Sequence, residues 1–172
     1  LALISAEVEE NIHLDYKASQ ALSKQSKQKN EISKDVAAFA NADGGVIIYG
    51  IEEQAGAPAK LDEGTDPSVI SKEWLSQVIS SHIHPAPHNS VRVVPVRRTG
   101  PPPGRVAYVV SILKSDDAPH QSIDGRFHIR VDAITCQMSE HAIRGAYLSN
   151  LQSTTEVLRL RASVRERIYQ LL

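Results

Sequence analysis

Cysteine is almost missing from this sequence: Cys136 is the one thiol in 172 residues. That excludes an internal disulfide and any cysteine-rich zinc site, and it is the usage expected of a reducing, cytoplasmic setting. Net charge is nearly missing as well, at −1 from 19 basic and 20 acidic residues. The surface as a whole therefore does not attract polyanions, and any site for them is a local patch. No apolar run approaches the ~20 residues that span a bilayer, so no membrane role is expected. The start, LALISAEVEE, has neither the basic region nor the apolar stretch of a signal peptide. The Gly44-Gly45 pair is not followed by Gly-Lys-Ser/Thr, so there is no Walker loop and ATP is not expected as a cofactor. Internal repeats and low-complexity tracts are absent too. With Leu1 in place of a methionine, the expectation is a piece of something longer.

What is present reads as an ordinary globular domain, 41% hydrophobic and 23% charged. Ile12, Leu14 and Tyr16 alternate with His13, Asp15 and Lys17, the period of a half-buried strand. Asn30 is a candidate cap for a helix with Ile32, Val36, Phe39 and Ala40 on its apolar face, ending near NADGG. VIIYGI then reads as a central strand. Asp66-Pro67 is placed at the start of a helix with Val69, Ile70, Trp74, Val78 and Ile79 inward. SVRVVPVRR and RVAYVVSIL form a hairpin across TGPPPG, with Pro95 marking an edge strand or a bulge. GRFHIRV is another strand, and a short helix begins near Ser139 with Ile143 and Tyr147 on its core side. The order predicts an α/β fold (an α+β sandwich): a mixed sheet of about five strands, helices mainly on one face, and a C-terminal amphipathic helix. That last helix places Val157, Leu160, Val164, Ile168 and Leu171 on one seam. Residues 1–150 are expected to form the domain. Residues 151–172 are expected to serve as a linker, a homo-oligomerisation segment or a junction with a C-terminal effector domain.

In this arrangement LDYK and VIIYGI are neighbouring strands. Glu10, Asp15 and Glu53 are then the acids that could converge, with Glu52 as the alternative to Glu53. Three carboxylates within a few ångströms repel one another, and a divalent cation removes that cost. Hard oxygen ligands without thiolate or imidazole suit Mg²⁺ or Mn²⁺, with Lys17 on the same side of the strand as Asp15 to hold a phosphate. Residues 17–34 carry five lysines against one glutamate; of these Lys24, Lys27 and Lys29 make a candidate basic patch beside the acids. Arg130 is either a phosphate contact or a partner for Asp132. His82, His84 and His88 suggest zinc at first sight, but no acids converge on them and no zinc is expected.

The chain resembles the Schlafen AlbA-type domain family, called AlbA_2. Glu10-Asn11-Ile12-His13-Leu14-Asp15-Tyr16-Lys17 is similar to the family's opening E-S-x-x-(L/V)-E-(F/Y)-K. Ala38-Phe39-Ala40-Asn41-Ala42-Asp43-Gly44-Gly45 and Gly50-Ile51-Glu52-Glu53 are similar to its A-F-A-N-T-x-G-G and G-(V/I)-x-(D/E) elements. Weaker matches fall at Pro119-His120, Phe127-His128-Ile129-Arg130 and Met138-Ser139-Glu140, so that the resemblance spans roughly residues 8 to 150. It implies a nucleic-acid-binding module. By analogy with the nuclease members, it implies a metal-dependent endoribonuclease acting on structured RNA such as tRNA, with Glu10, Asp15 and Glu53 as metal ligands and catalytic acids and Lys17 beside them. Asp15 is a methylene shorter and Glu53 a methylene longer than the family's usual acids. The alternatives are a non-catalytic DNA- or RNA-binding module of a larger regulatory or defence protein, and a scaffold assembled through the terminal helix. A loose likeness to the D…(D/E)-x-K nuclease signature is the other chemistry considered, but its hairpin topology fits this spacing poorly.

Overall fold

The computed structural model describes residues 2–171, with side chains apart from those of residues 2, 152–154, 157 and 160–171. After a one-turn helix α1 (Ala2–Ser5), the chain enters β1 (Leu14–Lys17) and a 3-10 turn over Ser19–Ala21. Helix α2 (Ser26–Asn41), β2 (Gly44–Tyr49), β3 (Ile51–Gln54) and β4 (Ala57–Leu61) follow. Next come α3 (Lys72–His82), β5 (Ile83–His84), β6 (Val91–Arg97) and β7 (Val106–Leu113). The chain closes with β8 (Gln121–Ser122), β9 (His128–Val131), β10 (Ile134–Gln137) and α4 (Glu140–Leu171).

The central sheet has four strands in the order β1-β2-β7-β6, with β1 parallel to β2 and the other pairs antiparallel. This is the mixed sheet expected, with the strands beyond these four forming two-stranded ribbons. LDYK and VIIY are indeed neighbours, with Asp15 opposite Ile47 and Lys17 opposite Tyr49. The β6–β7 hairpin forms as read, and Pro95 sits on the edge strand, where its missing N–H breaks no ladder.

Helices α2 and α3 cover one face of the sheet. Ile32, Val36, Phe39 and Ala40 of α2 share a core with Leu75, Val78 and Ile79 of α3 and with Ile47, Tyr49, Tyr108, Val110 and Ile112 of the strands. The step from α2 into β2 needs glycine. Gly44 has φ +76, and a Cβ there would lie 2.5 Å from the Ile112 carbonyl oxygen; one on Gly45 would lie 2.6 Å from the Phe39 ring. Asn41, the last residue of α2, fastens the loop ahead of β9. It accepts from the His120 amide at 2.6 Å and donates to the carbonyls of His120 and His128, both at 2.8 Å.

Several local expectations are corrected. Helix α2 starts at Ser26 with Gln25 as its cap, so Asn30 lies inside it. Asp66 does not start a helix: its carboxylate accepts from the amide and hydroxyl of Ser68 in a local turn, and α3 begins six residues later, where Ser71 accepts from the Trp74 amide at 3.1 Å. Side chain–backbone bonds of this kind serve turns and helix caps alike, so Asp66 closes a turn where Ser71 caps a helix. Val69 is consequently exposed, and Leu75 is the core residue. Gly50, at φ +114, ends the sheet strand inside the VIIYGI run, so Ile51 and Glu53 belong to the β3–β4 hairpin. Ser139 does cap the last helix, accepting from the Ala142 amide at 3.2 Å. That helix runs unbroken through what reads in sequence as two, and Tyr147 is half exposed, edge-on to Phe127. The seam of Val157, Leu160, Val164, Ile168 and Leu171 lies outside the described side chains.

Candidate functional site

The register of β1 decides where its charges go. In-register pairing with β2 puts Asp15 and Lys17 on the face of Ile47 and Tyr49, the face covered by α2, and turns Tyr16 to the other side, where its hydroxyl donates to the Val8 carbonyl at 2.9 Å. The alternation is real, but its polar half faces the core. A one-residue shift in which half is inward exchanges the faces entirely.

Asp15 is accordingly buried, at 1% exposure. Its Oδ1 meets Arg130 Nη1 at 2.9 Å and its Oδ2 meets Lys17 Nζ at 2.5 Å. Arg130 comes from β9, is itself buried, reaches toward the carbonyls of Asn11 and Leu14 at 3.4 Å, and stacks over the Phe39 ring at 4.9 Å. Its partner is Asp15, not Asp132. Lys17 also lies in the field of Asp35 from α2. Burial pulls the Lys17 pKa down, but Asp35 and Asp15 together outweigh it and hold the ammonium above its ordinary value.

Asp35 is the residue that sequence reasoning missed. It sits on the helix face otherwise filled by Ile32, Val36 and Phe39, and burial raises its pKa to about 6 against the pull of Lys17. Thr135 Oγ1 approaches its Oδ1 at 3.4 Å. The signal was available: an acid three residues after Ile32 and one before Val36 falls inside the apolar stripe of a helix, where a charge is expected to have a partner.

The other two acids are held differently. Glu10 accepts from the Tyr16 amide at 2.7 Å. Its pKa is raised chiefly by burial, with Asp15 and Glu53 adding and the Tyr16 amide and Lys17 opposing. Glu53 is exposed and accepts from the Gly56 amide at 2.8 Å, closing the β3–β4 turn, while the Gly56 carbonyl accepts from the Glu10 amide at 2.7 Å. Glu52 pairs with Lys60 at 3.2 Å. The three sequence-predicted acids thus share one neighbourhood, but each is already engaged. As arranged they do not fit a divalent cation: Asp15 has a cation on each oxygen, and among the described residues no three Asp, Glu, His or Cys side chains stand so as to hold a metal ion.

The basic residues also separate. Lys24 and Lys27 are exposed at the start of α2; Lys29 is half-buried and, after burial itself, is the main influence lowering the pKa of His82. The first turn of α2 holds no acid and no side chain caps it. Among the described residues no helix is long and apolar enough to cross a membrane.

Among solved structures the chain is similar to the crystal structure of the DIP2311 protein from Corynebacterium diphtheriae, with a TM-score of 0.55 and 19% identity over 80% of this chain and 25% of that one. At that identity the likeness is one of fold, and the chain spans a quarter of that protein's length. No curated protein matches the chain. The family model described as Schlafen, AlbA_2 matches residues 10–139, from Glu10 to the cap of the last helix and through every element of the central sheet. This chain belongs to the Schlafen AlbA_2 family.

Proposed function

We propose that the chain is a nucleic-acid-binding module, with RNA favoured over DNA, that grips the phosphate backbone at the start of α2. One observation carries the reading. Lys24 and Lys27 stand exposed at a helix N-terminus that lacks both an acid and a side-chain cap. Cations are the wrong sign for that end of the helix, costing about 0.3–1 kcal/mol each. A phosphate reverses the sign, taking the free amides and the ammonium groups together. The family supports the same class of ligand. The test is fluorescence anisotropy of labelled tRNA against salt. Affinity falling steeply between 50 and ~200 mM salt, with a slope reduced by about one per lysine in Lys24→Glu and Lys27→Glu, is expected. Binding that ignores both salt and these substitutions overturns the reading.

A second reading, a Mg²⁺- or Mn²⁺-dependent endoribonuclease using Glu10, Asp15, Glu53 and Lys17, is supported by the shared field of the three acids at Glu10. It requires Lys17 and Arg130 to release Asp15 on binding RNA. Nicking of tRNA in Mn²⁺ that is lost in Glu10→Ala and Asp15→Ala would favour it. Equal integrity of the RNA with wild type and variants removes it.

A further inference from the structure

The hairpin of β6 and β7 carries charge of one sign. From Val91 to Val106 there are four arginines, Arg92, Arg97, Arg98 and Arg105, and no acid. Three of them gather where the hairpin leaves the sheet. Arg97 is the last residue of β6, and the Arg98 amide donates to the Arg105 carbonyl at 3.0 Å, so Arg98 and Arg105 stand opposite each other. Like charges directly opposite destabilise a pair of strands. Among the described residues no ion pair involves any of the three. Arg97 is exposed and the other two are half-buried. Arg105 Nη1 donates to the Gly64 carbonyl at 3.2 Å and Arg98 Nη1 to that of Pro101 at 3.4 Å, bonds to neutral oxygens that leave the charge unanswered.

The topology of the sheet brings this end of the hairpin alongside the start of α2. With β1 parallel to β2, and β7 and β6 following in alternate directions, Lys17, Tyr49, Val106 and Arg97 lie at one end of the sheet. The chain leaves β1 at that same end to enter α2. Residues 62–65 strap the two together. Asp62 accepts from the Ser19 amide, just beyond β1, at 2.5 Å and from the Gly64 amide at 2.7 Å. Thr65 exchanges two backbone bonds with Val106, at 2.8 and 3.0 Å. Gly64 has φ +72, and a Cβ there would lie 2.6 Å from Arg98 Cδ and 2.9 Å from the Val106 carbonyl oxygen, so the strap passes beneath the arginine only as glycine.

We infer that the arginine hairpin is the second half of the phosphate-binding surface, and that its ligand is a helical RNA stem. One backbone of the stem rests on Lys24 and Lys27, the other on Arg97, Arg98 and Arg105. The inference deepens the proposed nucleic-acid-binding function and rests on it. β1 and β6 are three strand spacings apart, about 14 Å, which keeps the two basic groups separate. On the strap between them Glu63 is exposed, and a carboxylate repels phosphate. A single strand laid straight from one group to the other crosses that acid. The two backbones that border a groove reach both groups and leave the groove over it. Guanidinium groups suit the task, since their planar fork takes phosphate oxygens in pairs. Double-stranded RNA is recognised in this way, by its shape and its backbone.

Fluorescence anisotropy with three labelled probes tests it. They are an RNA hairpin with a stem of about 16 base pairs, the span of a double-stranded-RNA-binding domain, an RNA of equal length that cannot pair, and a DNA duplex of the stem's sequence. Wild type is expected to hold the stem about 10-fold more tightly than the unpaired RNA. Arg97→Glu should weaken stem binding about 10-fold near ~0.1 M salt and binding of the unpaired RNA less than about 2-fold, and Arg97→Gln should lower the salt slope on the stem by about one. Because Arg97 is exposed, its replacement should leave the urea midpoint unchanged. Lys27→Glu should weaken both RNAs. Hydroxyl-radical cleavage of the bound stem should be blocked on both strands with wild type and on one strand with Arg97→Glu. Stem binding unchanged in Arg97→Glu and in Arg98→Gln overturns the hairpin's part and leaves the reading at Lys24 and Lys27 standing. Equal losses on stem and unpaired RNA overturn the helical stem as the ligand, and a DNA duplex bound more tightly than the stem overturns RNA. No binding of any probe or of tRNA by wild type overturns both readings.

Discussion

Asp15 and Asp35 lie under helix α2; Glu10 and Glu53 lie at the turn of the β3–β4 hairpin. The first pair is buried: Asp15 is paired with the full charges of Lys17 and Arg130, while Asp35 lies in the field of Lys17 without an ion pair among the described residues. The second is answered by backbone amides alone. The difference follows from solvent. A carboxylate inside a sheet–helix interface loses its hydration and holds a proton unless a cation stands next to it, whereas Glu53, at the hairpin turn, keeps water and needs only an amide to orient it. Glu10 beside it is half-buried. The buried group is thus where charge is tied to folding, and the turn is where carboxylates remain free to change partners.

Removing a cation from the buried group gives the largest expected effect. Arg130→Met leaves Asp15 with Lys17 alone and takes the stacked guanidinium from Phe39. Loss of one partner from a buried pair costs about 3–5 kcal/mol, whereas exchanging both for apolar residues of like volume is close to neutral. Urea denaturation should show Arg130→Met destabilised by that amount and Asp15→Leu/Arg130→Met recovering most of it. A single substitution costing under about 1 kcal/mol would mean that the buried acid is hydrated after all.

Much of this was legible in the sequence and some was not, for definable reasons. The sheet neighbours, the glycine step and the β6–β7 hairpin follow from apolar runs and turn residues that depend on local chemistry. The inward face of β1 does not, because alternation gives a period and not a direction: Leu14 and Tyr16 looked like the core half until α2 packed on Asp15 and Lys17. The partnership of Asp15 with Arg130 joins residues 115 positions apart, and no local pattern encodes it. The motif groups Glu10, Asp15 and Glu53, and in the structure Asp15 and Glu53 both act on the charge of Glu10. The motif could not say that a guanidinium arriving from β9 would occupy the middle one.

A smaller effect separates the two buried acids from each other. Asp35 has its pKa raised to about 6 by burial, from an ordinary 3.8. The folded state therefore binds its proton more tightly than the unfolded chain does. This group's contribution to stability is fully present below about pH 4, falls as pH rises to 6, and is gone above it. The rise from 3.8 to about 6 corresponds to about 3 kcal/mol. The charges facing it are Lys17 and Asp15 from β1 and Lys34 and Glu31 from its own helix, with Thr135 from β10 close by. Asp35→Asn should match wild type near pH 4 and be the more stable protein at pH 7.5, by up to that amount. Parallel stability curves for the two proteins from pH 4 to 8 would show that Asp35 is not the titrating group.

The smallest effect sharpens the other side of the comparison. Glu53 closes a turn whose residues Ala55 and Gly56 have φ of +53 and +80, and it does so from the surface. Losing one exposed bond to an amide costs about 0.5–1.5 kcal/mol, so Glu53→Ala should lower stability by that little. Glu53→Gln keeps an oxygen acceptor and should restore most of it. The amide can orient the turn as the carboxylate does, but it cannot carry negative charge. If the role of Glu53 is the turn, Glu53→Gln behaves as wild type in every assay. If Glu53→Gln is fully stable, binds tRNA normally and yet loses Mn²⁺-dependent nicking that wild type displays, the charge itself is being used, and the hairpin acids are the part of the molecule kept free for chemistry.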